Sequence, residues 1–276
     1  MTASGPPRLK VPPGACDTHM HFYDARYPTA PTAVSTPPDA TVADYRRVQE
    51  RLGLTRTVVV QPSTYGFDNR PTLDGIAALG LEHARGVAVV DQEVTDAELE
   101  DFTRRGIRGA RFHMLGGGAV PWERLDRIAA RVSGVGWHVQ LQLDGRDLPE
   151  REARIRGWPG QVVIDHTGKF LEPVAVDHPA FRCLAGLVET GRIWIKLSEP
   201  YAVSKDGPPG YGDVARLARE LVRLAPERML WATNWPHPGH SPQDEAALLD
   251  LLLDWAPDEA TRRRILVDNP AALYGF

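Results

Sequence analysis

Short runs of β-branched and apolar residues alternate along the chain with longer stretches whose apolar residues recur at helical spacing. Eight of the short runs read as strands: 15–19 (ACDTH), 57–61 (TVVVQ), 86–90 (GVAVV), 108–112 (RGARF), 138–143 (HVQLQL), 162–165 (VVID), 193–197 (IWIKL) and 229–233 (MLWAT). Few polar residues alternate within them, as in strands covered on both faces. The spacing between them predicts helices over 41–52, 70–80, 95–105, 121–134, 146–157, 178–190, 210–224 and 242–254, with a last one at 257–265. Thr41 stands as a cap before Val42, Tyr45, Val48 and Leu52, and Thr95 with Glu98 three places on forms a capping-box pattern.

Strands alternating with helices eight times over point to a closed (β/α)8 TIM barrel, an α/β fold. The competitor is an open doubly wound sheet. No Gly-x-Gly-x-x-Gly follows the first strand, so a dinucleotide fold has little support. Gly116–Gly118 lacks the Lys and Ser/Thr of a phosphate loop and reads as a loop. A length of 276 residues suits one barrel over 1–276, with 1–14 an extended N-terminal arm. The net charge of −4 offers no global field for nucleic acid or an anionic membrane, and the excess of Arg over Lys reads as codon bias. Apolar runs such as Val58–Val60 and Leu251–Leu253 are too short to span a bilayer, and the first residues lack the apolar core of a signal peptide, so a cytoplasmic protein is expected. Cys16 and Cys183 make neither a disulfide framework nor a four-ligand zinc site.

A barrel places its chemistry where the strands end. Those ends read Asp17-Thr18-His19-Met20-His21, Gln61-Pro62-Ser63-Thr64-Tyr65, Arg111-Phe112-His113, Gln142-Leu143-Asp144, Asp165-His166, Lys196-Leu197-Ser198-Glu199 and Thr233-Asn234-Trp235-Pro236-His237. His19 and His21, two apart on a strand, point the same way into the mouth, where paired imidazoles hold a metal, polarise a carbonyl or bind an anion. His166 converges on the same place. A buried arginine needs an anion, so Arg111 suits a substrate carboxylate, with Asp144 or Asp165 as the internal alternative. His113, His237 and His240 are site or loop-capping residues, whereas His83, His138 and His178 read as structural. Trp235, Trp255 and the apolar 247–253 segment read as core packing; a homo-oligomer contact is the alternative.

The strand-1 His-x-His, Asp165-His166 and the Thr-Asn-Trp-Pro-His-Pro segment of strand 8 resemble the amidohydrolase superfamily. So do VVVQPSTYGFDN (58–69), RGVAVVD (85–91), GIRGARF (106–112), GWHV (136–139) and LVDNPAALYGF (266–276). The resemblance runs from about residue 15 to the end and is nearest the branch of pyrone-dicarboxylate lactonases and galactarolactone isomerases. It implies a barrel acting on lactones of acidic compounds, often without a bound metal. Carried over by position, His19, His21 and His166 would polarise the lactone, Ser63 would hydrogen-bond substrate, and Arg111 would hold a carboxylate. Gln142, Tyr65 and His237 are further substrate-binding candidates.

The departures narrow this. Hydrolytic members carry an Asp in the strand-8 motif as general base on water; here the position is Asn234, and an amide cannot take a proton at neutral pH. Extra arginines and a Tyr of the aromatic lactonase read here as Gly117, Ala202 and Gln142. A hydroxylated sugar-acid lactone with one carboxylate therefore fits better than a flat dicarboxylate. Isomerisation through a hydroxyl of the substrate itself is the expected reaction, unless His166 or His237 serves as base. The expected cofactor is none. The competing readings are a zinc or manganese hydrolase using His19, His21 and His166, and a binding protein that has lost its base.

Overall fold

In a computed structural model, which describes residues 5–276, all eight expected strands form, with ends shifted by at most two residues: β1 Cys16–Met20, β2 Arg56–Val60, β3 Ala84–Ala88, β4 Ile107–His113, β5 His138–Gln142, β6 Val162–Ile164, β7 Ile193–Leu197 and β8 Met229–Trp231. They lie parallel in one sheet in chain order. The helices are α1 Val42–Leu52, α2 Arg70–Leu79, α3 Asp96–Arg104, α4 Leu125–Gly134, α5 Leu148–Gly157, α6 Pro179–Val188, α7 Gly212–Leu224, α8 Glu245–Asp250, α9 Leu252–Trp255, α10 Glu259–Arg263 and α11 Asn269–Tyr274. This is the (β/α)8 barrel the alternation predicts.

The Thr95 capping box forms and the Thr41 cap proves to be one as well: Thr41 accepts from the Asp44 amide and Thr95 from the Glu98 amide, and each acid reaches back to its cap. Gly53 ends α1 at φ 76°, a conformation that costs a side chain and suits glycine. The stretch 242–254 is divided into α8 and α9 at Leu251. The chain beyond 257 departs further from expectation, for α10 runs through a π-turn at Arg264–Asp268 into α11. Pro270 explains both the missed helix and the turn. It has no N–H to continue the ladder, so it reads as a break in sequence and is accommodated by a wider turn in space.

Two apolar layers result. Inside the barrel lie Cys16, Val58, Val60, Val87, Val163, Trp194 and Leu230, closed at the base by Tyr274 of α11. Outside, the helices bury their apolar stripes against the sheet; Trp235, Trp255, Leu249 and Leu252 are part of this packing. Of the expected arm, residues 1–4 fall outside the described residues; beyond them Leu9 is buried, and the Arg8 and Leu9 amides donate to Asp250 of α8. No helix among the described residues is long and apolar enough to cross a membrane. Both cysteines are free thiols.

The closure between β1 and β8 builds the site. Met20 bridges Trp235, the Asn234 amide donates to the His19 carbonyl at 2.8 Å, and the His21 amide donates to the Trp235 carbonyl at 2.8 Å. Buried Asp17 clamps the same seam, accepting from the amide and hydroxyl of Thr233 and from Tyr45. Closing the barrel thus brings the first and last polar strand ends side by side.

Candidate active site

Among the described residues, seven non-glycine residues sit at positive φ, and six of them follow β6, β7 or β8 at the C-terminal mouth: His166 (54°), Thr167 (54°), Lys169 (47°), Glu199 (55°), Asn234 (59°) and His237 (66°). Left-handed backbone is strained for a side-chain-bearing residue, least so for Asn and Asp, and such strain concentrates at functional sites. The loops here are shaped to aim side chains.

The histidines meet. His19 Nε2 and His21 Nε2 are 3.2 Å apart, and the His19 and His166 ring centroids are 4.9 Å apart. His21 Nδ1 lies 2.8 Å from the Val60 carbonyl, an acceptor only, so Nδ1 carries the proton and Nε2 a lone pair. His19 Nε2–H must then donate to His21. His166 Nδ1 is 2.9 Å from Ser198 Oγ, and its Nε2 is 3.3 Å from Glu199 Oε2, which Lys169 Nζ also holds at 2.5 Å. Burial pushes all three imidazoles well below the ordinary histidine range, His21 to about 3. They are neutral at pH 7, each with one N–H and one lone pair.

Below them lies a polar layer inside the barrel. Fully buried Lys196 of β7 reaches Gln140 Oε1 at 2.6 Å, His19 Nδ1 at 3.4 Å and Asp165 Oδ1 at 3.8 Å. Gln140 Nε2 donates to Asp165 Oδ2 at 3.1 Å. Burial pushes the Lys196 ammonium down to about 8.

Arg111 stands at 6% exposure. Its Nη1 donates to the Gln61 carbonyl at 2.8 Å and its Nη2 to Gln142 Oε1 at 3.0 Å, while Nε has no partner. Neither internal carboxylate serves it: Asp144 is held by Arg146, and Asp165 faces Lys196, Gln140 and His19. Gln142 is thus a clamp on the guanidinium.

A second chain of groups leaves Asn234. Its Nδ2 donates to Tyr201 Oη at 3.1 Å, Tyr201 Oη is 2.8 Å from His237 Nδ1, and His237 Nε2 is 3.3 Å from Glu245 Oε1. The hydroxyl accepts from the amide and donates to the imidazole. His113 bonds the Gly116 carbonyl at 3.2 Å within its own loop. His240 approaches Glu199 at 3.8 Å. Ser63, half-buried, packs beside Gly117, where a Cβ would come within 3.5 Å of its Oγ. Tyr65 is spent elsewhere: its hydroxyl accepts from the Asp24 amide and donates to the Asp24 carbonyl, which ties down a loop. His178 caps α6, and His138 sits at the barrel base against Tyr274.

Sequence reasoning set Lys196 and Glu199 at the end of the seventh strand without giving them a role, and missed Gln140, Tyr201, Lys169 and Glu245. For two of them there was a signal. Gln140 and Lys196 are polar residues in the middle of strands that otherwise read as buried, and such residues need partners.

Among the described residues, the donors that gather closely enough for a metal are His19, Asp165 and His166, whose ligand atoms lie within 4.8 Å of one another. This corrects the expected set, in which His21 stood for Asp165; His21 is committed to Val60 and His19. The set fits a divalent ion poorly, because Lys196 already faces two of its three members. A doubly charged ion about 4 Å from an ammonium is repelled by roughly 8 kcal/mol at an effective dielectric near 20.

The buried neutral histidines also set acid stability. A histidine whose folded pKa lies below its unfolded one contributes stability that is full above about 6.5 and falls as pH drops toward the folded value. His21 and His138, both near 3, should each forfeit about 2 kcal/mol between pH 6.5 and 5. Urea unfolding at the two pH values checks this: His21→Gln should show the smaller loss, and an acid-insensitive parent would contradict it.

A parallel eight-stranded barrel with strained strand-end loops and convergent histidines at its mouth is the architecture of a barrel enzyme, and the chain belongs to the amidohydrolase family, whose profile matches residues 16–276. It is similar to a D-galactarolactone isomerase of Agrobacterium fabrum, 38% identical over 274 residues that cover 97% of this chain and 93% of the relative. A 2-pyrone-4,6-dicarboxylate hydrolase of Comamonas testosteroni is 37% identical, covering 97% and 92%. Among solved structures, an apo Agrobacterium tumefaciens protein superposes with a TM-score of 0.93 at 38% identity, covering 98% of both chains. A probable 2-pyrone-4,6-dicarboxylic acid hydrolase of Acinetobacter baumannii with citric acid bound gives 0.82 at 26%, covering 95% of this chain and 100% of that one. The chain is an amidohydrolase-family enzyme.

Proposed function

We propose that the enzyme acts on the lactone of a hydroxylated sugar acid bearing a carboxylate, and that it isomerises the lactone in preference to hydrolysing it. The observation that carries the substrate class is Arg111, a buried guanidinium with an unpartnered Nε and no carboxylate within ion-pair distance among the described residues. A carboxylate of the substrate completes it. The named lactone relatives and the citric acid held by the Acinetobacter structure agree in chemistry.

The preference for isomerisation rests on two features together: Asn234 offers water no base of its own, and the base that remains, His237 acting through Tyr201, serves a tethered substrate hydroxyl ahead of free water. With the carboxylate on Arg111, the lactone carbonyl oxygen displaces His21 as the acceptor of the His19 Nε2–H and takes a hydrogen of the Asn234 amide. Preorganised donors of this kind are worth about 3 kcal/mol each as charge develops on the oxygen. A substrate hydroxyl attacks the carbonyl carbon; its effective molarity, about 10⁵ M or more, favours it over free water competing for the same base. Its proton passes to Tyr201 Oη while Tyr201 gives its own proton to His237 Nδ1. The path reverses to protonate the departing ring oxygen, so the product is an isomeric lactone and no water is consumed. Glu245 steadies the imidazolium.

Proton NMR of galactaro- and glucaro-lactones with the parent and Asn234→Asp tests the proposal. The parent should interconvert lactones without forming open-chain acid, and the variant should release acid, since Asp restores a base on water. The left-handed backbone at 234 accepts Asp. Acid from the parent at a rate matching isomerisation would overturn the preference. No turnover of any hydroxylated lactone would overturn the substrate class.

A further inference from the structure

We propose that Lys196 is the site's resident cation: it takes the electrostatic place of a divalent ion among His19, Asp165 and His166, and fixes His19 with its proton on Nε2. Three observations support this. The ammonium is fully buried on a barrel strand and points inward, where its partners come from three other strands or strand ends: Gln140 of β5, Asp165 after β6 and His19 of β1. A lysine without a task would not be kept there, because a buried ammonium is unfavourable unless several groups compensate it. Two of the three donors able to gather round a metal face this ammonium. Gln140 links the arrangement, accepting from Lys196 through Oε1 and donating through Nε2 to Asp165, with His19 Nδ1 at 3.5 Å.

The consequence for His19 is a choice of tautomer. Its Nδ1 lies 3.4 Å from Lys196 Nζ, which only donates, and 3.4 Å from Asp165 Oδ1, which only accepts when ionised. With the Lys196 ammonium and the Gln140 amide both directed at Nδ1, that nitrogen keeps its lone pair and the proton stays on Nε2, facing the mouth. Lys196 is therefore a positioning residue: it acts through His19 and touches no reacting atom. It also holds a fixed positive charge beneath the carbonyl-binding donors, which is the electrostatic part of what a metal would supply.

The idea rests on the lactone proposal only for its kinetic arm; the spectroscopic and metal arms stand whatever the substrate. Nitrogen-15 NMR of histidine-labelled parent should place the His19 proton on Nε2, and a proton on Nδ1 would overturn the proposal. Zinc titration of the metal-stripped protein, followed by elemental analysis, should leave the parent without stoichiometric zinc. Lys196→Met and the milder Lys196→Gln should gain one zinc per chain, lost again in Lys196→Met/Asp165→Asn. One zinc per chain in the parent, removed by Asp165→Asn, would sink the idea, as would folded Lys196 variants that gain none. On a lactone that the parent turns over, the same variants without zinc should lose kcat by about 10- to 100-fold with little change in KM, the range typical of groups that orient another ligand or donor. An unchanged kcat would overturn the positioning role, whereas a parent that turns over no lactone would count against the substrate proposal alone.

Discussion

Arg111→Met should lower kcat/KM for a carboxylated lactone by about a thousandfold and, at the same time, leave the protein at least as stable as before. The loss follows from removing a buried charged partner of a substrate carboxylate, which is worth about 3–5 kcal/mol when one side is truncated. The stability gain follows from the free enzyme. There, Arg111 is buried with two neutral oxygen partners, one orphaned Nε and no carboxylate in reach. Burial alone lowers its affinity for its proton. A methionine of similar volume removes that unfavourable charge, so the urea midpoint should rise or hold. The two readouts moving in opposite directions mark a residue kept for binding. Were Arg111 a structural ion-pair member, the variant would unfold more easily and a lactone lacking the carboxylate would suffer as much as one bearing it.

His19→Asn comes second in expected size. It should reduce kcat by about 10²- to 10³-fold while KM changes only a few-fold, the signature of a donor that matters as charge develops on the carbonyl oxygen. His21→Asn should cost less. His21 presents a lone pair to His19, and its proton is held by the Val60 carbonyl, so it has none to give the lactone. Steady-state kinetics on both variants checks the ranking. Equal losses, or a larger one at His21, would mean that the proton between the two imidazoles lies the other way.

The alternation of eight apolar runs with eight helical stretches was enough for the barrel, since a strand covered on both faces and a helix with one apolar stripe have few ways to pack. Strand-end reasoning set His19, His21, His166, Arg111 and Asn234 at one mouth, because a barrel gathers its strand ends there, and the three histidines do meet. Tyr65 shows the limit of that logic. It follows a strand end in the chain, but the loop it belongs to turns its hydroxyl onto the Asp24 backbone. Gln142 shows another, for its side chain holds Arg111 in place.

By itself, then, the chain determined which residues are polar where burial is expected, and that Asn234 cannot act as a base. Only the tertiary structure decided their partners. Lys196 meets His19 across 177 residues of sequence, and Tyr201 meets both Asn234 and His237 through a loop whose path no local pattern records. The reason is physical. Periodicity reports which way a side chain faces, whereas tautomer, charge pairing and the gathering of donor atoms depend on distances of a few ångströms between distant segments. Those distances exist only once β1 and β8 have closed the barrel.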